Sequence, residues 1–127
     1  VYKRQVWGPG TQTRSFLYID ECIEATIRFM RGEFIGPVNI GSEEMIAMND
    51  FAKMAIQVSN KDLDIYNIDG EEFYSKYGHK CPIGVNGRNS DNSLYFEKVG
   101  WQVSEPLLDG MKKTYEWINH QVLLRKK

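Results

Sequence analysis

The tripeptide Gly8-Pro9-Gly10 constrains this chain more than any other stretch. Proline holds φ near its ring value and glycine accepts positive φ, so the backbone must turn here. Arg14 follows the turn. The apolar run Phe16, Leu17, Tyr18 and Ile19 then predicts a short strand, and Asp20 suits the N-cap of a following helix. A fixed turn therefore holds an arginine at the mouth of a strand–helix unit, a suitable place for a cation that must meet an anion. A second arginine, Arg88, sits in the Gly/Asn-rich loop Val85–Asn92 and has the fork geometry that matches phosphate. The expectation is that these two loops converge on one phosphate-bearing ligand. On residue chemistry alone, Arg88 reads more simply as a surface cation paired with Asp91.

With 127 residues, the chain has room for one domain, and 42% hydrophobic and 13% aromatic residues are enough for a packed core. Sixteen basic residues against seventeen acidic ones leave a net charge of −1, which argues against nucleic acid as a partner. No apolar run approaches the roughly 18 residues of a membrane span. Cys22 and Cys81, two cysteines in all, read as reduced thiols in a cytoplasmic setting. Val1–Gln5 resembles the translation of an adaptor used in preparing sequencing libraries. It is expected to be a non-native lead-in, left out of the fold, with residues 6–127 as the functional portion.

Further along, Glu21–Arg31 predicts a helix with Ile23, Ile27 and Met30 on one face and Gly32 closing it. Cys22 lies near the helix start, but Glu21 and Glu24 oppose a thiolate there, so it reads as a small core residue. Pro37–Gly41 predicts a short buried strand. Asn49 is expected to cap a helix running to Val58, with Phe51, Ala52, Ala55 and Val58 inward. Asp62–Ile68 alternates as a strand. This order, strand–helix–strand–helix–strand, predicts an α/β arrangement with a mainly parallel sheet in one compact body. The aromatics of Gly70–Gly84 form a brief helix or a flap. His79 and Cys81 are at most half a metal site, and no second pair has ligand spacing. Ser93–Val99 predicts a helix closing on Gly100. Ser104 and Pro106 open a last one, with the apolar stripe Leu108, Met111, Tyr115, Ile118 and Val122 facing a core.

Four segments in order carry a resemblance. They are Trp7-Gly8-x-Gly10-x-Gln12-x-Arg14-Ser15-Phe16 with Tyr18-Ile19-Asp20, then Val38-Asn39-Ile40-Gly41, then Gly87-Arg88-Asn89-Ser90-Asp91-Asn92, then Glu97-Lys98-Val99-Gly100-Trp101. Together they resemble the C-terminal part of the extended short-chain dehydrogenase/reductase family, the NAD-dependent nucleotide-sugar epimerases and dehydratases. Within it, the segments are most similar to the epimerases acting on GDP-mannose. The fold implied is α/β: the C-terminal substrate-binding portion of a Rossmann-type extended enzyme, with one or more parallel strands completing a sheet whose N-terminal half is missing. By the same resemblance, Gln12, Thr13, Arg14 and Arg88 bind the nucleotide sugar, which raises the functional reading of both arginines above the surface-cation reading. The family's reaction implies transient oxidation by NAD, acid/base inversion next to the new ketone, and re-reduction. NAD would be bound by the missing half, and the intact protein is expected to be a homodimer through that half. The chain shows neither the Gly-rich dinucleotide loop nor a Tyr-x-x-x-Lys pair. The expectation is therefore no catalytic, cofactor-binding or metal residue here, and no activity from these 127 residues alone. The segment from Gly70 to Val85 is longer than its family counterpart, which points to altered substrate choice.

Overall fold

The computed structural model describes residues 2–125, and side chains from residue 4 onward. Its elements, in chain order, are β1 (Tyr2–Trp7), β2 (Thr13–Ser15), α1 (Ile19–Met30), β3 (Met45–Ala47), α2 (Met48–Ser59), β4 (Leu63–Ile68), α3 (Gly70–Tyr77), β5 (Gly87–Arg88), α4 (Ser93–Val99) and α5 (Leu107–Leu124). The chain divides into two compact units, where the sequence predicts one body. The first comprises residues up to Arg14 together with Ile46–Arg88, and the second Ser15–Met45 with the chain from Asn89 on.

In the first unit β1 and β4 run parallel in unbroken register from Tyr2↔Leu63 to Trp7↔Ile68. Tyr2–Gln5, within the lead-in set aside in reading the sequence, supply most of β1; their backbone belongs to the sheet. The predicted strand over 62–68 and the helix ending near Val58 are both present. α2 stops at Asn60, whose φ of 49° is a left-handed cap that asparagine tolerates. Asp69 then caps α3 by accepting from the Gly70 N–H at 2.7 Å. Ile68 and Phe73 are fully buried. Phe73 meets Trp7 edge-on at 5.1 Å between ring centroids and Tyr77 at 4.6 Å. Burying such a ring contributes about 2–3 kcal/mol, so these aromatics of the 70–84 segment form a helix and a core, not a flap.

The second unit is helical. The Tyr95 hydroxyl donates to the Ala25 carbonyl at 2.9 Å, joining α4 to α1, and both residues are buried. Glu21 Oε1 accepts from the Ser104 and Glu105 N–H groups at 2.6 and 2.9 Å. Glu44 Oε2 accepts from the Leu107 N–H at 3.0 Å. The first N–H of α5 is thus met by a carboxylate, which suits the positive end of its dipole, and Glu21 fixes the lead-in before it. Its N-cap is Pro106, not the predicted Ser104. α4 closes on Gly100 at φ 69°, as the sequence predicts.

Several expectations are corrected. Phe16–Ile19 is no strand: β2 lies earlier, at Thr13–Ser15, and α1 takes up Ile19 and Asp20, with Tyr18 as N-cap and Arg31 as C-cap. A short apolar run cannot be told from a buried helix start by periodicity alone. Residues 37–41 form no strand among the described residues. The face of α1 expected to pack inward is open: Ile23, Ile27 and Met30 are exposed, Met30 to 77%. Ile118 and Val122 of the α5 stripe are exposed as well.

Candidate functional site

The three carbonyls of the Gly8-Pro9-Gly10 turn are each taken by one of two asparagines. Asn67 Nδ2 donates to Gly8 O at 3.0 Å, Asn49 Nδ2 donates to Pro9 O at 3.1 Å, and the Asn49 N–H donates to Gly10 O at 2.9 Å. Asn67 Nδ2 also reaches Asn49 Oδ1 at 3.0 Å, tying the two side chains together. Asn49 is therefore no helix cap; Ala47 holds that position, and the Asn49 side chain faces the turn. Gly10 has φ 71°, and a Cβ there would stand 2.0 Å from Asn49 Oδ1, so only glycine fits. The Met48 N–H then holds Gln12 O at 3.1 Å.

This fastened turn leads into β2, which pairs with β5 in parallel, Thr13↔Gly87 and Arg14↔Arg88. The Thr13 N–H donates to Asn86 O at 2.8 Å. Gly87 packs closely on its partner, since a Cβ on it would lie 2.8 Å from Thr13 Oγ1. The loops expected to converge thus do so through a two-residue ladder, with the arginines directly opposite one another.

The two guanidinium groups differ in their surroundings. Arg14 Nη1 donates to Thr13 O at 2.7 Å and to Val85 O at 2.9 Å, and its side chain is half-buried. Arg88 is exposed, and among the described residues its side chain has no hydrogen-bond or ion-pair partner; Asp91 instead accepts from Ser93. Like charges opposite each other in a ladder repel.

Gln12 is half-buried, and its Oε1 is buried with no hydrogen-bond partner. A buried acceptor left unpaired is costly. Thr13 contributes its backbone to the ladder. All four residues singled out from the sequence therefore fall within seventy-seven positions of chain in one unit, on one turn and one ladder.

Other candidates behave as packing groups. Cys22 and Cys81 are both free thiols. Burial, then the Asp69 carboxylate, pushes the Cys81 thiol up, against a smaller opposing effect of the Gly8 backbone, so it is not primed as a thiolate. His79 stacks edge-on against Phe73 at 5.4 Å, and its Nδ1 lies 3.0 Å from Lys80 O. What sequence reasoning misses is the pair Asn49 and Asn67. Their partners are eighteen or more residues away, so no local pattern marks them.

No family model matches the chain. It is 45% identical over 118 residues to GDP-mannose 3,5-epimerase from Arabidopsis thaliana, covering 93% of this chain and 28% of that protein. The structure of UDP-glucuronic acid 4-epimerase from Bacillus cereus in complex with UDP-glucuronic acid and NAD superposes with a TM-score of 0.75 and 26% identity, over 92% of this chain and 35% of that one. The fold is that of the C-terminal part of an extended short-chain dehydrogenase/reductase. Similarity within this family extends to UDP-glucuronic acid decarboxylase 6 of Arabidopsis thaliana, 30% identical over 106 residues, 84% of this chain and 28% of that protein. The chain thus spans little more than a quarter of the length of the curated relatives it matches. Among the described residues no helix is long and apolar enough to cross a membrane.

Solved members of this dehydrogenase/reductase fold hold NAD. The Gly8–Gly10 turn does not fit the pyrophosphate of that cofactor. It leads into a strand, not a helix N-terminus, and the space beside Gly10 is filled by Asn49.

Proposed function

We propose that this chain is the nucleotide-sugar-binding portion of an epimerase acting on GDP-mannose. The observation that carries the reading is the register pair Arg14↔Arg88. It sets two fork-shaped cations on neighbouring strands, and a pyrophosphate carries charge on both phosphorus centres, so one ligand can engage both. Arg14, already braced by two carbonyls, offers its remaining N–H groups from a fixed position, and Arg88 closes from the exposed loop. Gln12 Oε1 takes a hydroxyl or amide donor of the same ligand, and Thr13 lies beside it. Held this way, the sugar is presented in one orientation to the reacting groups, which lie outside this chain. NAD is likewise assigned to the remainder of the intact protein, in a cytoplasmic homodimer. Similarity at 45% to a GDP-mannose 3,5-epimerase supports the choice of sugar nucleotide.

A second reading stays within the family: an enzyme for a UDP-linked acid sugar. It is favoured by the likeness to UDP-glucuronic acid enzymes and by the long Gly70–Val85 segment leading to Arg88. Incubating the intact protein in deuterated water with GDP-mannose, and separately with UDP-glucuronic acid, separates the two. Deuterium entering the ring of GDP-mannose is the expected result. Turnover of UDP-glucuronic acid alone would transfer the assignment to the second reading. No turnover and no binding of either would leave an enzyme of the family for another nucleotide sugar, or a non-enzymatic ligand-binding module.

A further inference from the structure

We infer that Asn49 and Asn67 are positioning residues for substrate binding, acting through the turn that carries Gln12, Thr13 and Arg14; the inference rests on the nucleotide-sugar reading of that segment. The argument is one of hydrogen-bond accounting. Gly8, Pro9 and Gly10 present three consecutive carbonyls, and Pro9 has no N–H with which to join a ladder. Asn67 Nδ2 meets the first at 3.0 Å, Asn49 Nδ2 the second at 3.1 Å, and the Asn49 N–H the third at 2.9 Å. Asn67 Nδ2 also holds Asn49 Oδ1 at 3.0 Å, so Asn49 cannot rotate away without breaking two side-chain bonds. Asn49 further occupies the volume that a side chain on residue 10 would need. The Gly8 N–H is itself bound to Ile68 O at 2.9 Å, directly after Asn67. Two residues beyond the turn stands Gln12, and two beyond that Arg14. The first rigid element beneath the proposed anion site is therefore the side-chain pair reaching up from α2 and β4.

Fixing a loop this way costs ordering entropy at folding, before any ligand arrives, so it is spared at binding. Loss of the pair leaves Gly8 O and Pro9 O to solvent and frees the turn. Gln12 and Arg14 then have to be ordered by the ligand itself. The signature is a loss of substrate affinity with little change in the turnover of bound substrate.

The test uses the intact protein with Asn67→Ala, Asn49→Asp and, in parallel, Arg14→Ala. Asn49→Asp keeps the acceptor for Asn67 and replaces the donor to Pro9 with a carboxylate oxygen; its KM is read at high salt as well, where the added charge is screened. Expected for both asparagine variants is a KM for the nucleotide sugar raised about tenfold, with kcat per folded molecule within about threefold. NAD content should stay unchanged. A merely structural role would lower the folded fraction and leave KM as in the parent. Unchanged KM in the asparagine variants, with KM raised in Arg14→Ala, overturns the inference and leaves the site reading standing. Unchanged KM in Arg14→Ala as well overturns the site reading, and the inference with it. Should Asn67→Ala not fold, Asn49→Asp decides by the same criterion.

Discussion

The segment that carries Arg14 and the segment that carries Arg88 meet in one ladder, yet they are held in opposite ways. On the Arg14 side each carbonyl of the Gly8–Gly10 turn is bonded, Gln12 O is bonded, and the guanidinium rests on two carbonyls. The Arg88 side is a two-residue strand in a long exposed loop, and its guanidinium makes no bond among the described residues. On the proposed reading, one arginine is placed before a ligand arrives, and the other is free to close on it. Such a division lets a site combine a fixed reference point with an adjustable clamp, and it keeps two like charges from both being locked together in the empty site.

The sharpest way to break this contrast is at the glycines. Gly10→Ala puts a side chain where Asn49 lies and forces alanine to φ 71°. It should destabilise the protein by about 2–4 kcal/mol, from left-handed strain and lost hydrogen bonds. Gly87→Ala meets only Thr13 Oγ1, at 2.8 Å, and an off-rotamer shift of the Thr13 χ1 can relieve that contact for about 1 kcal/mol. Chemical denaturation of the two variants measures the difference, and equal losses would mean that the two segments are equally rigid.

A smaller effect concerns acid. Beyond Arg88, the Asp91 carboxylate accepts from the Ser93 N–H at 3.0 Å and hydroxyl at 2.6 Å, and these bonds hold its pKa below the usual carboxylate value. A group whose pKa is lower folded than unfolded stabilises above its unfolded pKa, and the gain is lost as pH falls through the folded one. Melting temperature followed from neutral pH down through the carboxylate range should therefore fall less steeply in Asp91→Asn than in the parent. An identical slope would show that this loop has no such cap.

The turn was legible because it is written in local chemistry, a Pro between glycines, whereas Arg88 was singled out as a binding residue only through the resemblance, since its residue chemistry alone reads as a surface cation. Like the turn, α2, α4 with its Gly100 cap, and β4 were legible locally, through periodicity and caps. Phe16–Ile19 misled because four apolar residues suit a strand or the entry to a helix, and only tertiary packing decides. Asn49 misled because an asparagine before a helical pattern looks like a cap, whereas its partners are Pro9 and Asn67. The open faces of α1 and α5 had an apolar stripe to be read, but a stripe does not say which element covers it.

The central claim is that Arg14 and Arg88 grip the same diphosphate. Calorimetric titration of the intact protein with a nucleoside diphosphate, and with the nucleoside lacking phosphate, tests it most directly in Arg14→Ala and Arg88→Ala. The account predicts that each substitution weakens the diphosphate about tenfold or more, as loss of a charge-assisted fork should, and leaves the nucleoside unaffected. Diphosphate affinity equal to the parent's in both variants would contradict it.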